Sequence, residues 1–255
     1  MICRHDFPVC EFDTDRNAVI CAENFLEKVL PEKCVLTFFR KELNTFVQEN
    51  NLPVVGQLHS EVVDLPIYLY EKEGEKIAIA MPFQCSAGAA GTLEELRAMG
   101  CRKFLICGGA GCLTGKMQVG EILLPTAAVR DEGASYHYLP PSREVEAPQE
   151  PLHFVAKCLK EMNVLFTLGK TWTTDAFYRE TPAMVQKRRE EGCITVEMET
   201  AGFYAVAKYY DLPLAQLLYA GDDVSGQVWD NRCWNSRKGI RASLIDLSIE
   251  LVKRM

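Results

Sequence analysis

The segment Cys193–Ala220, CITVEMETAGFYAVAKYYDLPLAQLLYA, decides the fold. Ile194–Glu197 is short and rich in β formers, so it reads as a buried strand. Thr200–Tyr210 combines alanines with aromatic residues and reads as a helix, and Leu214–Ala220 is a second continuous apolar run. Strand, helix and strand in immediate succession indicate an α/β chain whose sheet is largely parallel or mixed and covered on both faces.

The same alternation extends outwards. Upstream, Cys34–Phe39 reads as a strand and Arg40–Glu49 as a helix. Pro66–Tyr70 and Lys76–Met81 read as strands joined by the charged turn Glu71–Glu75, where Gly74 supplies flexibility. Ser86–Met99 is a helix that Ser86 can cap and Gly100 can end. Lys103–Cys107 is a buried strand running into a glycine-rich turn, Gly108–Gly111. Glu121–Val129 and Val164–Thr173 read as strands, Pro151–Met162 and Pro182–Glu191 as helices. The final helix, Ser236–Arg254, places Ile240, Leu244, Leu247 and Leu251 at helical spacing. Asp131–Glu150, with three prolines, reads as a long surface excursion. No linker or composition shift breaks the chain. The expectation is one three-layer α/β/α domain over residues 1–255, with residues 1–33 an N-terminal extension of unassigned role.

Composition narrows the function. The net charge of -7 argues against a nucleic-acid or anionic-membrane surface, which would call for a basic patch. Met1–Asp15 carries charges and Pro8 where a signal peptide has an apolar run, and no stretch approaches the roughly 20 apolar residues of a membrane span. A cytoplasmic protein is expected. The eleven cysteines form no CxxC pair and the four histidines do not cluster with them, so the thiols read as reduced small hydrophobes and no metal site is expected.

Ligands of such sheets bind beyond the carboxyl ends of the strands, and three constellations stand there. Gly108, Gly109, Ala110 and Gly111 would let backbone N–H groups approach an anion, or form a simple tight turn. Glu197, Met198 and Glu199 place two carboxylates either side of a methionine where a strand meets a helix. A carboxylate accepts hydrogen bonds in pairs and so matches the vicinal hydroxyls of a ribose; favourable acidic residues at a helix start are the alternative. Asp222 and Asp223 follow the last strand, where one of a pair of aspartates could serve as a general acid, or both could cap a turn.

Taken in order, Gly108–Gly111, Thr173–Tyr178 (TTDAFY), Val196–Tyr204 (VEMETAGFY) and Gly221–Asp222 resemble the nucleoside phosphorylase superfamily, which includes purine nucleoside and uridine phosphorylases and methylthioadenosine nucleosidases. The resemblance covers roughly Cys34 to Met255 and implies a mixed, partly barrel-like central sheet. It implies that Glu199 holds the ribose hydroxyls, with Met198 beneath the sugar and Glu197 in the pocket or supporting it. Phe177 would stack on the base, and Asp222 would protonate or hydrogen-bond a purine N7 as the glycosidic bond breaks, oriented by Arg237. It further implies inorganic phosphate as co-substrate, no organic cofactor or metal, a nucleoside as the small-molecule partner, and a homo-oligomer.

The departures concern the attacking group. Phosphorylases of this family carry an arginine at the position of Ile106 and a serine or threonine at that of Gly109. Arg40, Lys41 and Arg179 are the nearby cations that could take over phosphate. Glu42 falls close to the place where hydrolytic nucleosidases keep the glutamate that activates water, which makes phosphate-independent hydrolysis the alternative; a surface glutamate is the simpler reading. The uridine-reading Gln-x-Arg is replaced by Thr181 and Ala183, which favours a purine-type base. Trp229 and Trp234 could close over a substrate or serve as packing. A nucleoside binder that has lost catalysis is the third reading, against which the presence of Asp222 beside Glu199 counts.

Overall fold

A computed structural model describes residues 2–234 and 238–255. Two short strands, β1 (Ile2–Cys3) and β2 (Phe12–Asp13), pair antiparallel by themselves near the start of the chain. Every other strand joins one mixed sheet. It comprises β3 (Lys33–Thr37), β4 (Val54–Leu58), β5 (Leu65–Lys72), β6 (Glu75–Ala80), β7 (Lys103–Cys112) and β8 (Ile122–Asp131). It continues with β9 (Glu144–Glu146), β10 (Phe166–Thr174), β11 (Cys193–Glu197) and β12 (Leu214–Asp223). Six helices alternate with these strands among the described residues: α1 (Arg40–Asn50), α2 (Cys85–Ala98), α3 (Gln149–Glu161), α4 (Pro182–Glu190), α5 (Thr200–Tyr209) and α6 (Lys238–Arg254).

The strand order is β11-β10-β8-β12-β7-β3-β6-β5-β4, and β11 also pairs with β7. That extra pairing, Thr195 opposite Cys112 and Val196 opposite Gly111, closes five strands into a barrel. The remaining strands continue from β7 as an open sheet, so the sheet is mixed and partly barrel-like. The central strands are apolar on both faces; Val35, Leu36, Phe104, Leu105, Leu214 and Leu217 are all wholly buried. Helices α1 and α6 pack together against β3 and β7, while α2 packs on α5. The β5–β6 hairpin turns through Glu73 and Gly74, both at positive φ, as a two-residue hairpin loop requires.

Several boundaries differ from the sequence expectation. The run Gly108–Gly111 is not a turn: β7 continues through it to Cys112, because β12 pairs alongside it in parallel, Tyr219 opposite Gly109 and Ala220 opposite Ala110. The missing side chains leave room for rings. A Cβ at Gly109 would stand 3.1 Å from Tyr219 Cε1, and one at Gly108 3.2 Å from Phe38 Cδ2. β12 likewise runs on through Asp223. The excursion 131–150 holds β9 and a short 3₁₀ turn, Ala134–His137, and buried Arg130 gathers it by donating to Ser135 Oγ, Pro140 O, Ser142 Oγ and Leu139 O. Six of the eleven cysteines are buried, Cys34 and Cys107 completely.

One glycine fixes how α5 meets α2. A Cβ on Gly202 would lie 3.0 Å from the Ser86 carbonyl oxygen and 3.1 Å from Ser86 Cβ, so only glycine lets the two helix starts approach this closely. Gly202→Val is expected to lower stability by about 1–3 kcal/mol through overpacking; an unchanged urea midpoint would show that the helices separate freely.

Candidate active site

Thr173 on β10, Glu197 on β11, Gly111 on β7 and Asp222 on β12 come together where β11 pairs back onto β7. There β11 ends in Glu197, whose carboxylate is buried and fully engaged by the chain. One oxygen accepts from Thr173 Oγ1 at 2.6 Å, the other from the N–H groups of Glu199 (2.8 Å) and Thr200 (2.6 Å). These amides open α5, so Glu197 satisfies donors that the helix leaves free. Burial raises its pKa, and the hydrogen bonds oppose that shift. Glu197 therefore supports the site and leaves substrate contact to its neighbours.

Glu199 is different. Its Oε1 accepts from the Cys85 N–H at 2.8 Å, and Met198 O accepts from Ser86 Oγ at 3.1 Å. Cys85, at the first position of α2, is held at φ 64, a left-handed conformation that a non-glycine residue adopts at a cost. The strained turn aims one amide at Glu199. Burial first, and then the charge of Glu197, pushes the Glu199 carboxyl up to about 8. Met198 is half-buried beside it.

The aspartate of the TTDAFY segment lies near the same carboxylate: Asp175 adds to the upward shift of Glu199, and its own Oδ2 accepts from Gly133 N at 3.1 Å. Phe177 and Tyr178 follow on a short 3₁₀ turn, their ring centroids 4.0 Å apart, both exposed. Arg179 is exposed on the same turn. Thr181 caps α4, accepting from Met184 N at 3.3 Å.

Asp222 sits on β12, half-buried, with Oδ2 accepting from Trp229 Nε1 at 2.7 Å. The carboxyl packs beside Gly111: a Cβ built there would meet Val196 Cγ1 at 3.1 Å, Asp222 Oδ1 at 3.5 Å and Asp222 Oδ2 at 3.7 Å. Gly111 thus lies between the strand that carries Glu197 and the strand that carries Asp222. Asp223 turns the other way and takes Arg232 in an ion pair. Nothing in the sequence singles out Glu180, yet it belongs here. Burial, followed by the charge of Asp222, pushes its carboxyl up to about 7. Only a spatial neighbour reveals it, since 42 positions separate Glu180 from Asp222 along the chain.

Of the residues assigned to the attacking group, Arg179 and Gly111 adjoin this cluster, whereas Glu42 is buried on α1. Glu42, on α1, is only 7 % exposed; its Oε2 is 3.8 Å from Arg241 Nη1 and has no hydrogen-bond partner among the described residues. Arg241 donates through Nε to Tyr219 Oη at 3.1 Å, and Tyr219 is the ring lying over Gly109. Glu42 is buried rather than a surface residue, and two side chains separate it from Gly109. It also lines a groove of about 550 Å³ between α1 and α6, whose lining includes neither Glu199 nor Asp222. Arg40 and Lys41 are exposed at the start of α1, and Ile106 is buried in the core. Arg237 lies outside the described residues.

The fold is a closed five-stranded barrel extended by an open sheet, with carboxylates gathered around the β7–β11 junction. The chain belongs to the phosphorylase superfamily, whose family model matches residues 32–243. Guanosine phosphorylase of Halorubrum lacusprofundi is 32% identical over 133 residues, 49% of this chain and 54% of that protein. Uridine phosphorylase of Escherichia coli is 33% identical over 99 residues, 37% of this chain and 39% of that protein. The chain thus spans about half the length, or less, of these curated relatives. Among solved structures, AMP nucleosidase from Bacteroides thetaiotaomicron superposes with a TM-score of 0.68 at 22% identity, over 88% of this chain and 90% of that one. Futalosine hydrolase of Helicobacter pylori does so with a TM-score of 0.68 at 15% identity, over 85% and 96%. These likenesses establish the fold. No helix among the described residues is long and apolar enough to cross a membrane.

Raised carboxyls make stability depend on pH in a definite sense. The Glu199 pKa rises from 4.5 to about 8 on folding, so its ionisation opposes folding increasingly as pH climbs through that window, and the whole penalty is present above it. Glu199→Gln keeps an acceptor for Cys85 N–H and removes the charge. It should be the more stable protein above pH ~8, by about 1–3 kcal/mol, with the difference vanishing towards pH ~4.5. Thermal melts across that range check this, and a constant difference would contradict it.

Proposed function

We propose that this protein cleaves the N-glycosidic bond of a purine-type nucleoside by phosphorolysis, releasing the free base and ribose 1-phosphate. The observation that carries the reading is the placement of Glu199, just past the end of β11 and held by a strained backbone turn, near Asp222 of β12, which lies across Gly111 from Val196 of β11. Family membership and the phosphorylases among the curated relatives support it.

The chemistry follows from the charges. Breaking the bond between C1′ and the base nitrogen sends the electron pair to the base and leaves positive charge on the ribose ring. Asp222 delivers a proton to the departing purine, a contribution of ~10²–10⁴-fold in rate. Glu199, with a pKa of about 8, donates as well as accepts at neutral pH, so it can hold the vicinal hydroxyls in either sense. The surrounding carboxylates, Asp175 and Glu197, favour a cationic sugar. The attacking phosphate oxygen closes on C1′ from the other side. Phe177 offers a face for the base, and Glu180 an acceptor for a base N–H when ionised. Thr181 and Ala183 stand where uridine would need its amide and guanidinium. The expected setting is a cytoplasmic homo-oligomer needing no metal or organic cofactor.

Hydrolysis is the second reading, and a specific observation favours it. The place a hydroxyl side chain at 109 would occupy is filled by the Tyr219 ring, and buried Arg241 is spent on Tyr219 and Glu42. Phosphate would then depend on Arg179, Arg40 or another subunit. Chromatography of a nucleoside panel with and without phosphate separates the readings: ribose 1-phosphate formed only with phosphate is the expected result, and free ribose without it would favour Glu42-assisted hydrolysis. Asp222→Asn should fold normally and lose ~10²–10⁴-fold in turnover; wild-type rates in that variant would remove Asp222 from the acid role.

A further inference from the structure

The segment following β12 does more than leave the sheet. Asp223 and Asp230 exchange backbone hydrogen bonds of 2.8 and 3.0 Å, which folds residues 224–229 into a closed loop. Arg232 fastens the returning arm: it pairs with Asp223 and donates to Met117 O at 2.9 Å. Arg232 and Cys233 both hold positive φ, 45 and 53, an arrangement that persists only where surrounding contacts over-determine it. Beyond them the Trp234 ring lies over Arg241, 4.9 Å from guanidinium to centroid, and Trp234 O accepts from Tyr219 Oη at 3.3 Å. The loop is therefore tied down at its base and along its returning arm, and from it Trp229 reaches back to Asp222.

We propose that Trp229 is the positioning residue for Asp222, its indole N–H fixing one carboxyl oxygen so that the other stays available to the substrate. The inference rests on the proposed role of Asp222 as acid. The geometry supports a directional role, because Trp229 Nε1 lies 2.7 Å from Asp222 Oδ2, whereas Oδ1 has no hydrogen-bond partner among the described residues. A carboxyl with one oxygen engaged presents its proton from the other, and a proton misplaced by about 1 Å forfeits much of its value in the transition state. Packing does not account for the contact, because Trp229 remains 59 % exposed and buries little apolar surface. An exposed indole held by one hydrogen bond to a half-buried carboxylate is placed for that bond.

Trp229→Phe removes the donor and keeps a ring, at a position too exposed for the substitution to unfold the protein. Two substrates are compared: a purine nucleoside, whose base must be protonated to leave, and 4-nitrophenyl β-riboside, whose leaving group departs without a proton. The variant should lose roughly ten-fold or more in kcat on the nucleoside, with little change in KM, and stay within about two-fold of wild type on the nitrophenyl riboside. Equal losses on both substrates, or no loss on either, would overturn the role of Trp229. Absence of turnover of both substrates by the wild-type protein would instead overturn the proposed function, and the positioning role with it.

Discussion

The buried carboxylate of Glu197 is the contact on which the site depends. Its three hydrogen bonds tie the end of β10, through Thr173, to the amides that open α5. An ionisable group in that position is expensive unless it is completely satisfied. Here every oxygen is used, and Thr173 Oγ1 in turn accepts from Ala201 N at 3.0 Å. The result is a rigid corner from which Met198 and Glu199 project, at the point where β11 pairs back onto β7 and closes the barrel. Removing Glu197 would leave helix-start amides orphaned and Thr173 without its acceptor, so sugar recognition and barrel closure share one residue.

Around that corner the molecule accumulates unfavourable features of a kind usually found where function is carried. Cys85 sits at positive φ to deliver one amide to Glu199. Glu199 and Glu180 are pushed to about 8 and about 7, chiefly by burial. Arg232 and Cys233 hold left-handed backbone under the loop that carries Trp229. Each costs folding free energy, and such features cluster where function is carried. The amino-terminal ends of β7 and β12 show ordinary packing, with Phe104, Leu105 and Leu214 wholly buried.

The fold is largely legible in the sequence because long apolar strands and amphipathic helices obey simple periodicity; α1, α3, α4 and α5 lie within two residues of their expected limits. The glycine run misleads for a physical reason. Glycine usually marks a turn, but Gly108 and Gly109 lie in an extended strand because the Phe38 and Tyr219 rings need the space. Strand β9 and the Arg130 network leave no comparable trace, since a buried arginine satisfied by four acceptors within the excursion has no periodic signature. Within the site, Glu199 and Asp222 are visible as motif residues. Glu180 and Cys85 acquire their roles from segments distant in the sequence, Trp229 from a loop that folds back on Asp222, and the burial of Glu42 against Arg241 is likewise invisible in one dimension.

The most direct measurement is a crystal structure of the protein with a purine C-nucleoside, whose carbon–carbon glycosidic bond cannot be cleaved. Ribose hydroxyls within hydrogen-bond distance of Glu199, and the base edge on Asp222 with Phe177 against its face, are the predicted result. A nucleoside bound elsewhere, for instance in the groove between α1 and α6, or with its sugar turned away from Glu199, would contradict the account.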